Sequence, residues 1–257
     1  MAEKKQTKKK TARKKKTPSS EKTRVKKKTL KTRMKSAAPS PAKTAPFKQV
    51  KEPGFHIVGI GASAGGLEAF GEFFNHMPED SGMAFVLVPH LDPTHKSIIG
   101  EILTKYTRMT ISQVKNGMKV EPNNIYIIQP DKDLAILQGK LQLLEPAERR
   151  GLRHPIDFFF RSLAQDQTYN AISIILSGTG TEGTLGLKEI KGEGGLVIVQ
   201  DPKTAKYDGM PQSAINTDLV DYVLPPQKMP EQLMRYVRVS YRRGMKKPET
   251  QIGRAHV

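Results

Sequence analysis

The chain of 257 residues has no cysteine and no tryptophan. Without cysteine there are no disulfide staples, no thiolate nucleophile and no thiolate metal site, which fits a reducing compartment. No apolar run approaches the ~18–20 residues that span a bilayer, so no transmembrane segment is expected. The N-terminus is basic but lacks the apolar core of a secretion signal. A cytoplasmic location is the simplest expectation. Acidic residues are nearly missing from one end: residues 1–46 hold 18 of the 43 Lys and Arg but 2 of the 25 Asp and Glu. Large apolar side chains are scarce there too. Such a stretch cannot bury enough surface to offset its ordering entropy, so a disordered Lys-rich tail is expected over 1–46. It offers nonspecific contact with anionic surfaces, whereas the absence of interleaved aromatics argues against base stacking. The net charge of +18 therefore describes the tail, and the body is near neutral.

From Phe55 onward, strand and helix patterns alternate. Strands are expected at 55–60, 84–89, 125–128, 134–137, 141–144, 171–176, 196–200 and 222–224. Gln138-Gly139-Lys140 reads as a hairpin turn between two of them. Helices are expected at 67–77 (Leu67, Phe70, Phe74 and Met77 inward) and at 96–106 (Ile98, Ile99, Ile102, Leu103 and Tyr106 inward). A third follows Pro155, with Ile156, Phe159, Phe160 and Leu163 inward, and proline suits its first turn. Further helices are expected at 184–191, after Asp208-Gly209-Met210-Pro211, and at 230–242. The apolar strands are short and mostly non-alternating, as in a parallel sheet covered on both faces. The expected fold is α/β: one three-layer domain over 47–243 with a mostly parallel sheet, helices on both faces and a small antiparallel hairpin.

The stretch Gly59-Ile60-Gly61-Ala62-Ser63-Ala64-Gly65-Gly66 lies between the first strand and the first helix. Gly61-x-Ser63-x-Gly65 reads as a nucleophile elbow, with glycines allowing a sharp turn that exposes a serine hydroxyl. Gly59-x-Gly61-x-x-Ala64 also approaches a dinucleotide fingerprint. That fingerprint wants an acid at the end of the next strand, and this one ends on His90. A third reading is a tight turn whose serine caps a helix.

In an open parallel sheet, reactive groups gather past the carboxyl ends of the strands. Three such ends carry polar chemistry: Ser63, His90, and Glu182 in the glycine-rich loop Ser177-Gly178-Thr179-Gly180-Thr181-Glu182-Gly183. Serine, histidine and carboxylate form the hydrolase set. Each has a plainer alternative, since a strand-end histidine can be structural and an acid suits a helix start. His56 and His76 read as packing or surface positions, and His154 as a loop residue. His90-x-Asp92-x-x-His95 can be read as metal ligands, but no clustered Cys or His completes the set. Asp92 or His95 then caps the following helix. No metal and no organic cofactor is expected.

Taken together, Gly59–Gly66, His90, Leu176–Gly183 and Gly209-Met210-Pro211-x-x-Ala214-Ile215 resemble the catalytic domain of the chemotaxis protein-glutamate methylesterases (CheB). The resemblance runs from about Phe55 to Leu233. The wording Val88–Ser97 and Arg153-x-Pro155-Ile156-Asp157 through Leu163 looks closest to the subgroup fused to a methyltransferase (CheR) and sensory domains. It implies hydrolysis of glutamate γ-methyl esters on a methylated chemoreceptor-like protein, with release of methanol, and deamidation of certain receptor glutamines. It implies Ser63 as nucleophile, His90 as general base and Glu182 as the acid. It also implies oxyanion donors at the Ala64 and Thr179 N–H groups, supported by Gly61, Gly65, Gly66, Gly178, Gly180, Gly183 and Met210. A CheR-type methyltransferase domain is an implied partner. The alternative is a catalytically weak regulatory or scaffolding module of a sensory fusion.

Three departures stand out. The family's acid is normally aspartate and here is glutamate. Thr179 stands where methionine is common. The basic tail stands where a receiver domain usually does, so phosphorylation-gated control by that route is not expected within this chain. Residues 244–257 read as a tail, with Ile252–Val257 encodable by a common sequencing-adapter stretch. The chain is therefore expected to be a fragment of a longer fusion.

Overall fold

Short, unbroken runs such as Ile57–Ala62 and Ala84–Pro89 have no polar face to offer water, so they belong in a sheet covered on both sides. A computed structural model describes residues 54–90, 98–129, 131–146 and 153–242. In chain order the elements are β1 (Ile57–Ala62), α1 (Gly66–Phe74), β2 (Ala84–Pro89), α2 (Ile98–Leu103), β3 (Thr110–Gln113), β4 (Met118–Lys119), β5 (Asn124–Ile127), β6 (Asp133–Leu137) and β7 (Lys140–Leu144). Then come α3 (Pro155–Gln167), β8 (Ala171–Ile175), α4 (Thr184–Gly192), β9 (Leu196–Gln200), α5 (Gly209–Ile215), β10 (Tyr222–Leu224) and α6 (Met229–Arg242). The expected tails at 1–46 and 244–257, and Asp92 and His95, lie outside the described residues.

Seven parallel strands form one sheet in the order β10-β9-β8-β1-β2-β5-β3. Three strands form a small antiparallel sheet in the order β4-β7-β6. One core lies on each face of the large sheet. Ile156, Phe159, Phe160 and Leu163 of α3 fill one, with Leu187 and Ile190 of α4, Met210 of α5, and Leu134, Ile136 and Leu141 of the small sheet. Phe70, Phe73 and Phe74 of α1 fill the other, with Ile99 and Leu103 of α2 and Leu233 and Val237 of α6. Phe73 and Phe74 meet Phe85 of β2 edge-on, at ring-centroid distances of 6.0 and 5.5 Å. Each buried phenylalanine contributes about 1.5–3 kcal/mol of transfer free energy.

Several expectations shift. β1 begins and ends two residues later than the expected strand, which takes Gly61 into the strand alongside Gly59. The reason is packing. A Cβ on Gly59 would stand 2.9 Å from the Phe160 ring, and one on Gly61 would stand 2.4 Å from Ile156 Cγ2. Gly61 thus lets α3 lie close on β1 and does not make the turn. Tyr106 is exposed, not inward, because α2 ends at Leu103. The edge strand β3 and the two-residue β4 have no apolar run to announce them. The hairpin turn is the pair Gln138 and Gly139, both with positive φ (53° and 68°), as a two-residue β-turn of this kind requires. The Asp166 carboxylate of α3 accepts from both of their N–H groups, and Ser162 Oγ accepts from Ile136 N on the same edge strand.

β1 and β8 are neighbours, yet the chain leaves them in opposite directions. From β1 it crosses through α1 to β2, and from β8 through α4 to β9, over opposite faces. This divergence falls at the carboxyl ends of β1 and β8, the kind of switch point at which α/β sheets place their sites.

Candidate active site

Ser63 is the first residue after β1, and Ser177 lies just past the end of β8. The two ends are sewn together by Ser63 N donating to Ser177 O at 2.9 Å. The chain then turns through Gly65, whose φ of 73° is open to glycine and strained for other residues, and α1 starts at Gly66. Ser177 Oγ donates to Ala64 O at 2.8 Å and accepts from Tyr207 N at 3.0 Å. Gln200 Oε1, at the end of β9, holds Ser177 N at 2.8 Å. Gly178 N donates to Tyr207 O at 3.0 Å, and Gly178 O accepts from Met210 N at 2.9 Å. Met210 is fully buried beneath this loop: a Cβ on Gly178 would stand 2.2 Å from its Sδ and 3.0 Å from Ser63 Cβ.

None of the hydrogen bonds among the described residues uses the Ala64 or Thr179 N–H. Both groups flank the serine turn as unengaged donors. Gly180 (φ 81°) and Gly183 (φ 86°) shape the same loop, and Gly183 stands just before α4.

His90 is the first residue after β2, and its N–H donates to Ala62 O at 2.8 Å. Its ring is half-exposed, with Nδ1 2.7 Å from Glu182 Oε2. Glu182 is only 6% exposed. Its Oε1 accepts from Ile156 N, at the start of α3, at 2.8 Å. Its Oε2 is buried, and its polar contact is this close one with the His90 ring. The hydrogen bond to Glu182 raises the His90 pKa above its ordinary value of 6.5. Burial opposes this, the charge of Glu182 adds to it, and the charge of Arg153 opposes it.

The fold thus brings the ends of β1, β2 and the loop after β8 together, and with them Ser63, His90 and Glu182. The Ser63 hydroxyl, however, donates to the His90 backbone carbonyl at 3.1 Å, and not to the His90 ring. Sequence reasoning did not assign a site role to the Ser177 hydroxyl, Gln200, the Ile156 N–H or Asp157. Two of these left a signal: Ser177 and Gln200 are polar residues at the ends of mostly apolar strands. His56 is buried and His76 exposed, as the packing-or-surface reading allowed. Among the described residues no group of three or more His, Cys, Asp or Glu is placed to hold a metal ion. Among them, too, no helix is long and apolar enough to cross a membrane.

Residues 58–233 match the family model described as CheB methylesterase. The chain belongs to the CheB methylesterase family. The chain is similar to the crystal structure of the Thermotoga maritima CheB methylesterase catalytic domain, with a TM-score of 0.68 at 30% identity. That match covers 72% of this CheB-family chain and 100% of the solved one. A putative protein-glutamate methylesterase/protein-glutamine glutaminase of Leptospira interrogans is 32% identical over 182 residues, 70% of this chain and 94% of the relative. The protein of the same description from Pyrococcus horikoshii, without the qualifier, is 31% identical over 198 residues. The chain is covered to 75% in that comparison and spans 54% of the archaeal relative's length.

Proposed function

We propose that the chain hydrolyses γ-methyl esters of glutamate side chains on a methylated chemoreceptor-like protein by a serine mechanism. The observation that supports this most directly is the 2.7 Å contact between His90 Nδ1 and buried Glu182, formed at a strand end beside the Ser63 turn. Glu182 can only accept, so it fixes the proton on Nδ1 and leaves Nε2 as the basic nitrogen. Ser63 Oγ turns about Cα–Cβ from the His90 carbonyl to another staggered position facing that nitrogen. Unliganded catalytic hydrogen bonds commonly tighten only when substrate is bound.

Ser63 Oγ then attacks the ester carbonyl carbon while Nε2 takes the hydroxyl proton. The developing oxyanion is received by the Ala64 and Thr179 N–H groups, which are rigid and cost no reorganisation. Collapse breaks the C–O bond, and the imidazolium returns its proton to the departing methoxide, giving methanol. A water, deprotonated by His90, hydrolyses the acyl-serine and releases a glutamate carboxylate and free Ser63. Glutamine deamidation follows the same course with ammonia as leaving group.

One observation favours a second reading, a scaffolding module of a sensory assembly: the Ser63 hydroxyl is engaged by the His90 carbonyl. Methanol release from a methylated receptor helix decides between them. Release that disappears in Ser63→Ala supports the esterase. No release from folded chain, on receptors of the matching source, refutes it.

A further inference from the structure

The helices α3 and α4 hold each other's N-termini. Glu182, just before α4, sends Oε1 to the Ile156 N–H in the first turn of α3 at 2.8 Å. The next residue of α3, Asp157, sends Oδ1 to the Gly186 N–H in the first turn of α4 at 2.7 Å. Each helix therefore supplies the cap that the other lacks. Neither His154 nor Gly183, the residues standing before them, provides a side-chain cap of its own.

The glycines make this approach possible. A Cβ on Gly186 would stand 2.5 Å from Phe160 Cβ and 3.1 Å from Asp157 Cα, so α4 lies hard against α3 at this point. Gly183, at φ 86°, directs the chain from Glu182 into α4. The Glu182 backbone consequently leads straight into the first turn of α4, and Asp157 holds that turn at Gly186.

The geometry points to Asp157 as a positioning residue for catalysis. By clamping the Gly186 N–H in the first turn of α4, it sets where Glu182 stands between Ile156 and His90. The clamp deepens the esterase reading and rests on it for the catalytic consequence. Asp157 is itself buried, and burial raises its pKa. The backbone N–H groups of Gly186 and Gly183 oppose that rise, Glu182 adds to it and His154 opposes it. The ionisable groups facing His90 are Glu182 and Arg153, and Arg153 is in turn held by Asp133 at 3.3 Å.

Asp157→Asn and Asp157→Ser test the clamp in the full chain. Asparagine keeps the size but puts an amide NH2 where one acceptor stood. Serine keeps one small acceptor and reaches less far. In folded variants, kcat is expected to fall about tenfold or more with KM little changed, since small misplacements of catalytic groups are costly. The NMR titration of His90 in the unliganded chain is expected to move down toward its ordinary value, because the Glu182 hydrogen bond loosens. Unchanged kcat and an unchanged His90 titration in either folded variant overturn the proposal. Loss of the folded state in both overturns it too, because Asp157 would then hold the helices together and not aim Glu182. The titration needs no substrate. A chain without esterase activity whose His90 still responds to Asp157 would sink the esterase reading and leave the clamp standing.

Discussion

Glu182→Asp puts the site's geometry to its sharpest test. Aspartate is the acid that the family resemblance leads one to expect at this position, and a simple view would have it improve the enzyme. The structure argues the reverse. Both Glu182 oxygens are in use, one at 2.8 Å from Ile156 N and the other at 2.7 Å from His90 Nδ1. Removing one methylene retracts the carboxylate by roughly one C–C bond, ~1.5 Å. On a fixed backbone the His90 contact then opens toward ~4 Å, outside hydrogen-bond range. The backbone has little freedom to follow, because Asp157 grips Gly186 in the first turn of α4. A misplacement of this size costs on the order of 10²-fold in rate. The expected result is a kcat lower by about that factor with KM nearly unchanged. The pH profile carries a second signature. In the proposed serine mechanism His90 must be neutral to accept the Ser63 proton, so activity is expected to rise as pH passes upward through its pKa. The Glu182 hydrogen bond is the main reason that pKa lies above 6.5, so the acid limb is expected to move to lower pH in the variant. Steady-state methanol release across the acid-to-neutral range reads both. A Glu182→Asp enzyme as fast as the parent, with its acid limb in place, would refute the reasoning.

Two other outcomes follow from packing and burial. His56 is buried on β1's approach to α6, edge-on to Tyr236, and burial lowers its pKa from 6.5 to about 4. Above pH 6.5 both folded and unfolded chains hold it neutral and its contribution is constant. As pH falls from 6.5 toward 4 only the unfolded chain takes up the proton, so stability drops, by about 2 kcal/mol between about pH 7 and pH 5. Denaturant melts of wild type and His56→Phe should diverge over this window, and parallel curves would sink the assignment. Gly61→Ala sets a methyl 2.4 Å from Ile156 Cγ2 and should destabilise by about 1–3 kcal/mol while lowering kcat, since Ile156 N carries Glu182. Gly192→Ala, in open space at the end of α4, is the matched control and should be neutral or slightly stabilising. Equal melting temperatures for the two alanine variants would contradict the packing argument.

What could be read from the residues was whatever leaves a side-chain pattern. The four inward positions of α3, the strand–helix alternation and the polar residues at three strand ends all did so. The unread parts depend on backbone groups or on distant partners. The Ile156 N–H belongs to an apolar residue and gives no hint that it holds a carboxylate. Asp157 looks like an ordinary acid in a first helical turn, and its true partner, the Gly186 N–H, is 29 residues away. Gly61 looks like a turn glycine within Gly61-x-Ser63-x-Gly65, yet only Gly65 of the two adopts the left-handed conformation. Thr110–Gln113 pairs as an edge strand through its backbone while its side chains alternate too weakly to show it. The orientation of the Ser63 hydroxyl is a rotamer, and no sequence pattern encodes it.

The pairing of β1 with β8 joins Ile57 to Ala171 and carries the two serine-bearing ends side by side. More than a hundred residues separate the partners along the chain, and parallel pairing of this range is slow to nucleate. A polypeptide growing from its N-terminus displays Ser63 and His90 well before β8, Glu182 or α4 exists. Until then Ser63 lacks the carbonyl that anchors its N–H, and His90 lacks its carboxylate. Hydrolytic competence is thereby a late event in synthesis, reached only when the far half of the sheet has closed against the near half.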